Sequence, residues 1–355
     1  MANIQKQLLD FHDEIKLGKY EENATLREKR DIITNKVKDG LVKHFEDKNE
    51  VIPKIEFLDQ GSYAIDTGIA PKDGDYDIDE GIIINLNKED YDDSTYFKKV
   101  VRDIMKTHTK KEPKIKNPCV TISYTKDDEP QYHVDLPIYL KSSEDDNLYL
   151  AWGKEFALSE NKKWQISDPK GLNNHIKNSF SGDDKKQFKR VVRYLKKWKD
   201  VKFSSETSDG TPPSIGLTII AADKFEAVKE INALTGDEEY NDLSAMKMLV
   251  DKIKDLFEYK FCIDELEFLY TIKYDLPVEN KGNVFSKMTN KKMNSFHEKI
   301  IKLQEALQYA IDETDPHKAC KELAKYFGDK LPIPEAVEDR YMTVGASSAP
   351  ASNFA

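Results

Sequence analysis

Two aspartates one residue apart, at the head of an apolar run, constrain this chain more than any other feature. The run is Asp77-Ile78-Asp79-Glu80-Gly81-Ile82-Ile83-Ile84, and it reads as a strand over residues 77–86. In a strand, residues i and i+2 share a face. Asp77 and Asp79 then stand side by side while Ile78 turns into a core. Two carboxylates so placed repel each other unless a cation joins them. Upstream, Ile55 and Phe57 alternate as a first β signal and lead into Gln60-Gly61-Ser62. A glycine there lets the backbone approach a phosphate, and the serine hydroxyl with the N–H groups of a following helix start suits anionic oxygens. A third carboxylate, Asp135, lies in His133-Val134-Asp135-Leu136-Pro137, with Val134 and Leu136 facing the core. A neighbouring strand brings it alongside the first pair.

This set fits phosphoryl transfer from a nucleoside triphosphate. The phosphates must be held, the leaving pyrophosphate neutralised and the attacking hydroxyl aligned. Two Mg²⁺ ions roughly 3.5–4 Å apart do this, and carboxylates are their natural ligands. A calcium loop is the competing reading of the acidic stretch, and it fails on position. Counted from Asp75, an EF-hand needs glycine at 80 and glutamate at 86, where the chain has Glu80 and Leu86. The paired aspartates alone are a weak signal. Together with Gly61-Ser62 and a strand-borne Asp135 they are a specific one.

The 355 residues allow one large domain or two lobes. Hydrophobic residues are 39% and charged residues 34%, which fits a soluble globular protein with a well-solvated surface. The net charge is −10, whereas a protein that grips long nucleic acid carries a basic footprint. Cys119, Cys262 and Cys320 are far apart and form no CxxC or Cys/His cluster. That sets aside a zinc ribbon and a disulfide framework and suits a reducing cytoplasm. The N-terminus shows no apolar signal region. The longest apolar stretch, Ile215 to Ala222, is broken by Gly216 and Thr218, far below the roughly 18 residues of a membrane span. The expectation is a cytoplasmic protein without membrane contact.

Along the chain, residues 3–46 read as helix in two pieces. Thr25 with Glu28 forms a capping-box pattern, and Leu26, Ile33, Val37, Leu41 and Phe45 follow at helical spacing. Residues 94–107 read as another helix. Strands follow around Val120 to Tyr124, Tyr132 to Leu136 and Leu148 to Trp152. From about residue 167 the period turns helical, with apolar stripes Phe188 to Trp198, Leu243 to Phe257 and Phe296 to Ile311. A polar loop separates the first two, from Ser204 to Pro213. Asp315-Pro316 starts a last helix and Gly328 stops it. The fold class expected is α+β: a mixed sheet with flanking helices over residues 1–165, N-terminal helices included, then a mostly helical lobe over 166–341. A flexible tail occupies 342–355. The cleft between the lobes is the place for the site.

Residues 60–69 (Gln60-Gly61-Ser62 to Ile69), Asp75-Tyr76-Asp77-Ile78-Asp79-Glu80-Gly81 and His133-Val134-Asp135-Leu136-Pro137 together resemble the bacterial cGAS/DncV-like nucleotidyltransferases, within the DNA polymerase β-like superfamily. Arg193-Tyr194-Leu195-Lys196-Lys197-Trp198, Leu276-Pro277 and Asn283-Val284-Phe285 resemble the same family. The resemblance covers residues 50 to 310. It implies a polymerase β-like nucleotidyltransferase lobe. It implies an enzyme that joins nucleoside triphosphates, ATP among them, into cyclic di- or trinucleotide second messengers with release of pyrophosphate. In this family such products activate a neighbouring effector in bacterial antiphage defence. Two Mg²⁺ ions, or Mn²⁺ in their place, are the implied cofactors. Asp77 and Asp79 hold both ions; Asp135 holds the second and helps the acceptor hydroxyl lose its proton. Gln60, Gly61 and Ser62 contact the donor nucleotide. Arg193 or Lys196, with Ser214, holds the triphosphate. Arg193, Lys196 and Lys197 share one helix side at i, i+3 and i+4, so spacing leaves any of the three to face the cleft.

Animal relatives carry an aromatic after that serine, and a zinc insertion. Here Ile215 follows Ser214 and the insertion is absent, so with the acidic balance no activation by double-stranded DNA is expected. His133 shares a strand face with Asp135 and reads as a structural hydrogen-bonding residue. Tyr194 and Trp198 read as core, and Trp152 and Trp164, near the lobe junction, carry no assigned role. In some family operons a ubiquitin-like conjugation enzyme acts on the synthase C-terminus, and the tail ending Asn353-Phe354-Ala355 suits such a partner or an operon-encoded regulator. Taken by itself the tail reads as ordinary disorder. Two other functions compete. A template-independent enzyme making linear oligonucleotides or tailing RNA predicts a basic surface, which the charge disfavours. A non-catalytic nucleotide-binding or scaffold protein has no reason to keep three carboxylates.

Overall fold

The structure is a computed structural model that describes residues 2–17, 20–71, 76–126, 129–142, 145–204, 211–231, 236–263, 266–278 and 282–336. The expected tail, 342–355, lies outside the described residues, as does most of the loop 204–213. The chain opens with α1 (Gln5–Ile15) and α2 (Tyr20–Asp47), followed by β1 (Ile55–Gln60), the short α3 (Gly61–Ala64) and β2 (Tyr76–Ile84). Then come α4 (Tyr96–Met105), β3 (Lys114–Ile115), β4 (Cys119–Lys126), β5 (Glu129–Lys141), β6 (Leu148–Trp152) and β7 (Lys163–Ser167). The rest comprises α5 (Pro169–Asn178), α6 (Gly182–Lys202), α7 (Ser214–Lys224), β8 (Lys229–Ile231), β9 (Glu238–Tyr240) and α8 (Asp242–Asp255). It closes with β10 (Glu258–Cys262), β11 (Glu267–Thr271), α9 (Asn290–Asp312) and α10 (Pro316–Phe327).

Among the described residues β1 to β7 form one seven-stranded sheet, ordered β1-β2-β5-β4-β3, with β6 beside β5 and β7 beside β6. β2 and β5 run parallel and the other neighbours antiparallel. The expected mixed sheet with flanking helices is what the chain forms. One face of this sheet buries Ile78, Ile82, Val134, Leu136 and Ile138 against Val37, Leu41 and Phe45 of α2 and Phe97 and Val101 of α4. Burying each such side chain is worth about 1.5–3 kcal/mol, and that sum fixes the alternation. Even-numbered positions of β2 and β5 point inward, so the odd-numbered Asp77, Asp79 and Asp135 are driven to the opposite face.

A second core gathers α6 to α10, with Tyr194 and Trp198 buried in it. The first helix joins this core and not that of the sheet. Phe11 packs on Tyr194 at 5.6 Å and on Phe327 at 5.7 Å between ring centres, and the Tyr194 hydroxyl donates to the Leu8 carbonyl at 2.7 Å. α2 already runs from Tyr20, so Thr25 and Glu28 sit inside a helix and not at its cap. The buried stripe Leu26 to Phe45 sets that helix's extent, because packing outweighs a local cap preference. α8 ends at Asp255, so Phe257 lies past the helix and packs on Phe296 at 5.2 Å. α10 begins as expected: the Asp315 carboxylate accepts from the His317 N–H, Pro316 opens the turn, and Gly328 closes it at φ 86°. The hairpins β8–β9 and β10–β11 add strands to a lobe that is otherwise helical. No described helix is long and apolar enough to cross a membrane.

Candidate active site

The parallel pairing of β2 with β5 puts Asp77 opposite His133 and Asp79 opposite Asp135. Because side chains in register share a face, the three aspartates and His133 meet on the side of the sheet turned away from its core. Asp77, His133 and Asp135 each offer a ligand atom, and these atoms lie within 4.8 Å of one another. The His133 ring nitrogen Nε2 stands 3.1 Å from Asp77 Oδ1. Asp135 is held from the next strand and the turn before it: Thr121 Oγ1 donates to one oxygen, and Lys116 Nζ lies 3.5 Å from the other. Asp79 is the most enclosed. Burial, then the charges of Asp77 and Asp135, push its carboxyl up to about 7. The set is short of positive charge, and it offers carboxylate oxygens and an imidazole at ligand spacing. It fits a divalent cation.

Gly61 begins α3 at φ 64°, a conformation L side chains seldom adopt. A Cβ on it would lie 2.0 Å from Asp79 Oδ2, so glycine is the condition for the Asp79 carboxylate to reach the site. Gln60, expected at the donor nucleotide, turns elsewhere. Tyr139 donates to its Oε1 at 3.1 Å, and its Nε2 lies where a Cβ on Gly81 would come to 2.2 Å. Its amide packs on the strands beneath the site.

The site opens into a cleft of about 310 Å³ between the lobes. Gly61, Ser62, Tyr76, Asp77 and Asp79 line one wall; Lys196, Asp200, Ser214, Ile215 and Thr218 line the other. Lys196 donates to the Thr67 carbonyl at 3.0 Å and to Thr67 Oγ1 at 2.9 Å. Burial, then Lys199 and Arg193, bring its ammonium down to about 7. Lys199 donates to Ser214 Oγ at 2.5 Å. Burial lowers the Lys199 ammonium and raises the Asp200 carboxyl beside it. Sequence reading missed Lys199, Asp200, Lys116 and Tyr76. Spacing held a signal only for Lys199, one helical turn from Lys196 on the α6 stripe's polar side.

Arg193 does not line this cleft. It donates to the Asp66 carbonyl at 2.8 Å, the Asp66 carboxylate at 2.9 Å and the Gly68 carbonyl at 3.1 Å, and it contacts His12 Nε2 at 3.0 Å. Burial, then Arg193, depress the His12 ring to about 4, so the imidazole is neutral and accepts. With the Leu17 N–H on Gly68 O at 3.0 Å and the Ala70 N–H on Ile15 O at 2.8 Å, Arg193 fastens segment 65–70 of the sheet lobe to α1 and α6. Lys197, also buried, is absent from the cleft lining. Ile215, next to Ser214, places an aliphatic surface on that wall of the cleft.

Residues 55–139 match the sequence family described as "Cyclic GMP-AMP synthase DncV-like, nucleotidyltransferase domain". The chain is 30% identical over 177 residues to the cyclic GMP-AMP synthase of Escherichia albertii, covering 47% of this chain and 37% of that protein. It is 27% identical over 258 residues to the c-di-GMP synthase of Roseivirga ehrenbergii, covering 65% of this chain and 64% of that one. It thus spans less than two thirds of either curated relative. Vibrio cholerae DncV, solved with nonhydrolyzable GTP, superposes with a TM-score of 0.69 at 17% identity, over 94% of this chain and 97% of that one. CdnC of E. coli MS115-1, solved with ATP, gives 0.63 at 18% identity, over 92% and 98%. At such identities the structural likeness establishes the fold. The resemblance to the cGAS/DncV-like nucleotidyltransferases read from the sequence is borne out.

Proposed function

With a DncV-like nucleotidyltransferase domain at residues 55–139, we propose that the protein is a cyclic oligonucleotide synthase. It joins nucleoside triphosphates, ATP among them, into a cyclic di- or trinucleotide and releases pyrophosphate. The observation that carries this reading is the register that sets Asp135 opposite Asp79, which lines a cleft whose other wall presents Lys196 and Ser214. The two curated relatives are named as cyclic dinucleotide synthases, which supports a ring of two. A role in antiphage signalling, with an operon-encoded regulator or conjugation enzyme as partner, rests on the family resemblance.

Asp77, Asp79 and Asp135 are the residues to hold divalent cations, with His133 beside them. When bound, Mg²⁺ supplies charge neutralisation at the transferring phosphoryl group and its leaving pyrophosphate. The chain's own groups do the rest. Ser62, Ser214 and Lys199 bind the triphosphate, and Lys196 adds a cation within reach of the same wall. Asp135, oriented by Thr121 and Lys116, accepts the proton of the attacking hydroxyl. Partial enclosure between the two walls strengthens each of these charge contacts. A second round on the linear dinucleotide closes the ring.

The test is incubation with all four ribonucleoside triphosphates and Mg²⁺ or Mn²⁺, phosphatase treatment and mass identification, with Asp77→Ala/Asp79→Ala as control. A phosphatase-resistant cyclic product that the double variant fails to make supports the reading. Linear or RNA-linked products favour a tailing enzyme instead.

A further inference from the structure

We infer that Trp152 is the seat of the acceptor nucleobase, with Lys287 of the helical lobe as the cation that accompanies that nucleotide. The inference rests on the nucleotidyl-transfer reading above. In-line displacement places the incoming oxygen and the leaving pyrophosphate on opposite sides of phosphorus. The cleft lined by Ser62, Lys196, Asp200 and Ser214 approaches the aspartates from the β2 side, and it takes the triphosphate. The acceptor then arrives from the other side of β5, where β4 and β6 lie.

Trp152 stands there. Leu150 pairs with Tyr139, and Trp152, two residues on, shares their face of the sheet. That is the aspartate face, since Tyr139 and Asp135 differ by an even number of positions on β5. Trp152 ends β6 at the point where β4 takes over as the partner of β5. The next N–H, of Gly153, donates to the Asn117 carbonyl at 3.0 Å. The residue before Asn117 is Lys116, whose ammonium reaches Asp135. This junction is rigid. The fully buried Lys98 donates to the carbonyls of Lys116 at 3.2 Å, Asn117 at 2.9 Å and Gly153 at 2.5 Å.

The ring also has a cation over it from across the lobe boundary. Lys287 Nζ lies 5.0 Å from the Trp152 ring centre. Lys287 follows Phe285, which packs against Gly216 in the first turn of α7, the turn that begins with Ser214. The same short turn therefore supports the triphosphate wall and reaches the indole. A half-buried indole on the aspartate face of the sheet, attended by the exposed Lys287 ammonium, suits a purine or pyrimidine ring bearing a 5′-phosphate. Stacking on an aromatic side chain is tolerant of base identity, so this seat sets affinity for the acceptor more than its choice of base.

Trp152→Phe and Trp152→Ala are compared with the intact chain by indole fluorescence, using α,β-methylene ATP and GTP analogues with Mg²⁺, and by initial rates. Trp198 is fully buried and Trp164 donates to the Tyr91 carbonyl at 2.8 Å, so the seat predicts a nucleotide-dependent quench that Trp152→Phe abolishes. It also predicts a KM about 10-fold or more higher in Trp152→Ala with kcat little changed. If Trp152→Ala does not fold, Trp152→Phe carries the test through the quench. A quench that persists in Trp152→Phe, no quench in the intact chain, or an unchanged KM in folded Trp152→Ala overturns the seat even where product forms. A quench lost in Trp152→Phe while the intact chain makes no cyclic product keeps the seat and removes the cyclisation reading.

Discussion

Asp79 occupies the space that any side chain on Gly61 would need. Its Oδ2 lies 2.0 Å from where a Cβ would stand, and Gly61 itself holds φ 64°. Gly61→Ala therefore combines backbone strain with displacement of a carboxylate. The expected outcome is loss of product formation by about 100-fold or more, since small misplacements at a reacting centre are costly. The strain costs about 1–3 kcal/mol. Activity assays beside thermal melts check both, and an active Gly61→Ala sinks the close-approach explanation.

The Asp79 carboxyl, at about 7 against an ordinary 3.8, makes cation binding pH-dependent. The folded apo chain holds this proton where the unfolded chain has lost it. Its contribution to stability is full below pH 3.8 and disappears as pH rises through about 7. A divalent cation competes with that proton and offsets the repulsion. The rise in Tm caused by Mg²⁺ should be small at pH 5.5 and grow toward pH 8. A Mg²⁺ effect independent of pH over that range contradicts the arrangement.

Glu80 points the other way, into the sheet's core side, at 4% exposure. Burial, then the hydrogen bond its protonated carboxyl donates to its cross-strand partner Asp59, holds that carboxyl up at about 8. A group raised in the folded state stabilises below its unfolded value and loses that stabilisation as pH rises through 8. Glu80→Gln should keep activity and hold its Tm better than the parent chain between pH 7 and 9. Asp79→Asn, one residue away on the opposite face, should abolish activity. Equal damage from both substitutions would show that strand parity does not separate their roles.

Arg193 and Lys199 share a helix but should fail differently. Arg193→Met takes the donor from the Asp66 carbonyl and leaves the Gly68 carbonyl with the Leu17 N–H alone, a loss of about 1–3 kcal/mol for the carbonyl left unpaired. Thermal melts should show a Tm several degrees lower.

Lys199→Met removes the donor to Ser214 Oγ and keeps the aliphatic stem. Donor KM should rise about 10-fold or more, the scale of one charge-assisted contact, with Tm nearly unchanged. Steady-state kinetics and melts on both variants separate the fastener from the ligand contact. Reversed behaviour would reverse the two assignments.

The sequence made the carboxylate set legible because strand alternation is decided locally. Ile78, Val134 and Leu136 announce which face is buried, and the aspartates follow. The partners of that set were harder to read. Arg193, Lys196, Lys197 and Lys199 crowd one helix, and only the tertiary path of segment 65–70 decides which is consumed by backbone carbonyls and which meets Ser214. Gln60 sits beside the glycine and serine in the motif, yet β1 turns its amide toward Tyr139 and Gly81. The packing of α1 on α6 and α10 joins residues far apart in the chain, and periodicity carries no information about that. The β10–β11 hairpin follows directly on the α8 stripe, so Phe257 looks like one more turn of helix.

The parallel pairing of β2 with β5 has a kinetic consequence. Tyr76 meets Tyr132, and Asp79 meets Asp135, with α4, β3 and β4 between them in the chain. A nascent polypeptide that has just emitted β2 carries two of its three acids and no means of assembling them. Closure of so long a loop is slow and comes only after the intervening pieces have formed. Short sequence separation favours pairing of β4 with β5 ahead of the docking of β2. Until then Asp77 stands apart from His133 and Asp135, and the cluster of ligand atoms does not exist. Completion of the candidate site and completion of the sheet are thereby one event.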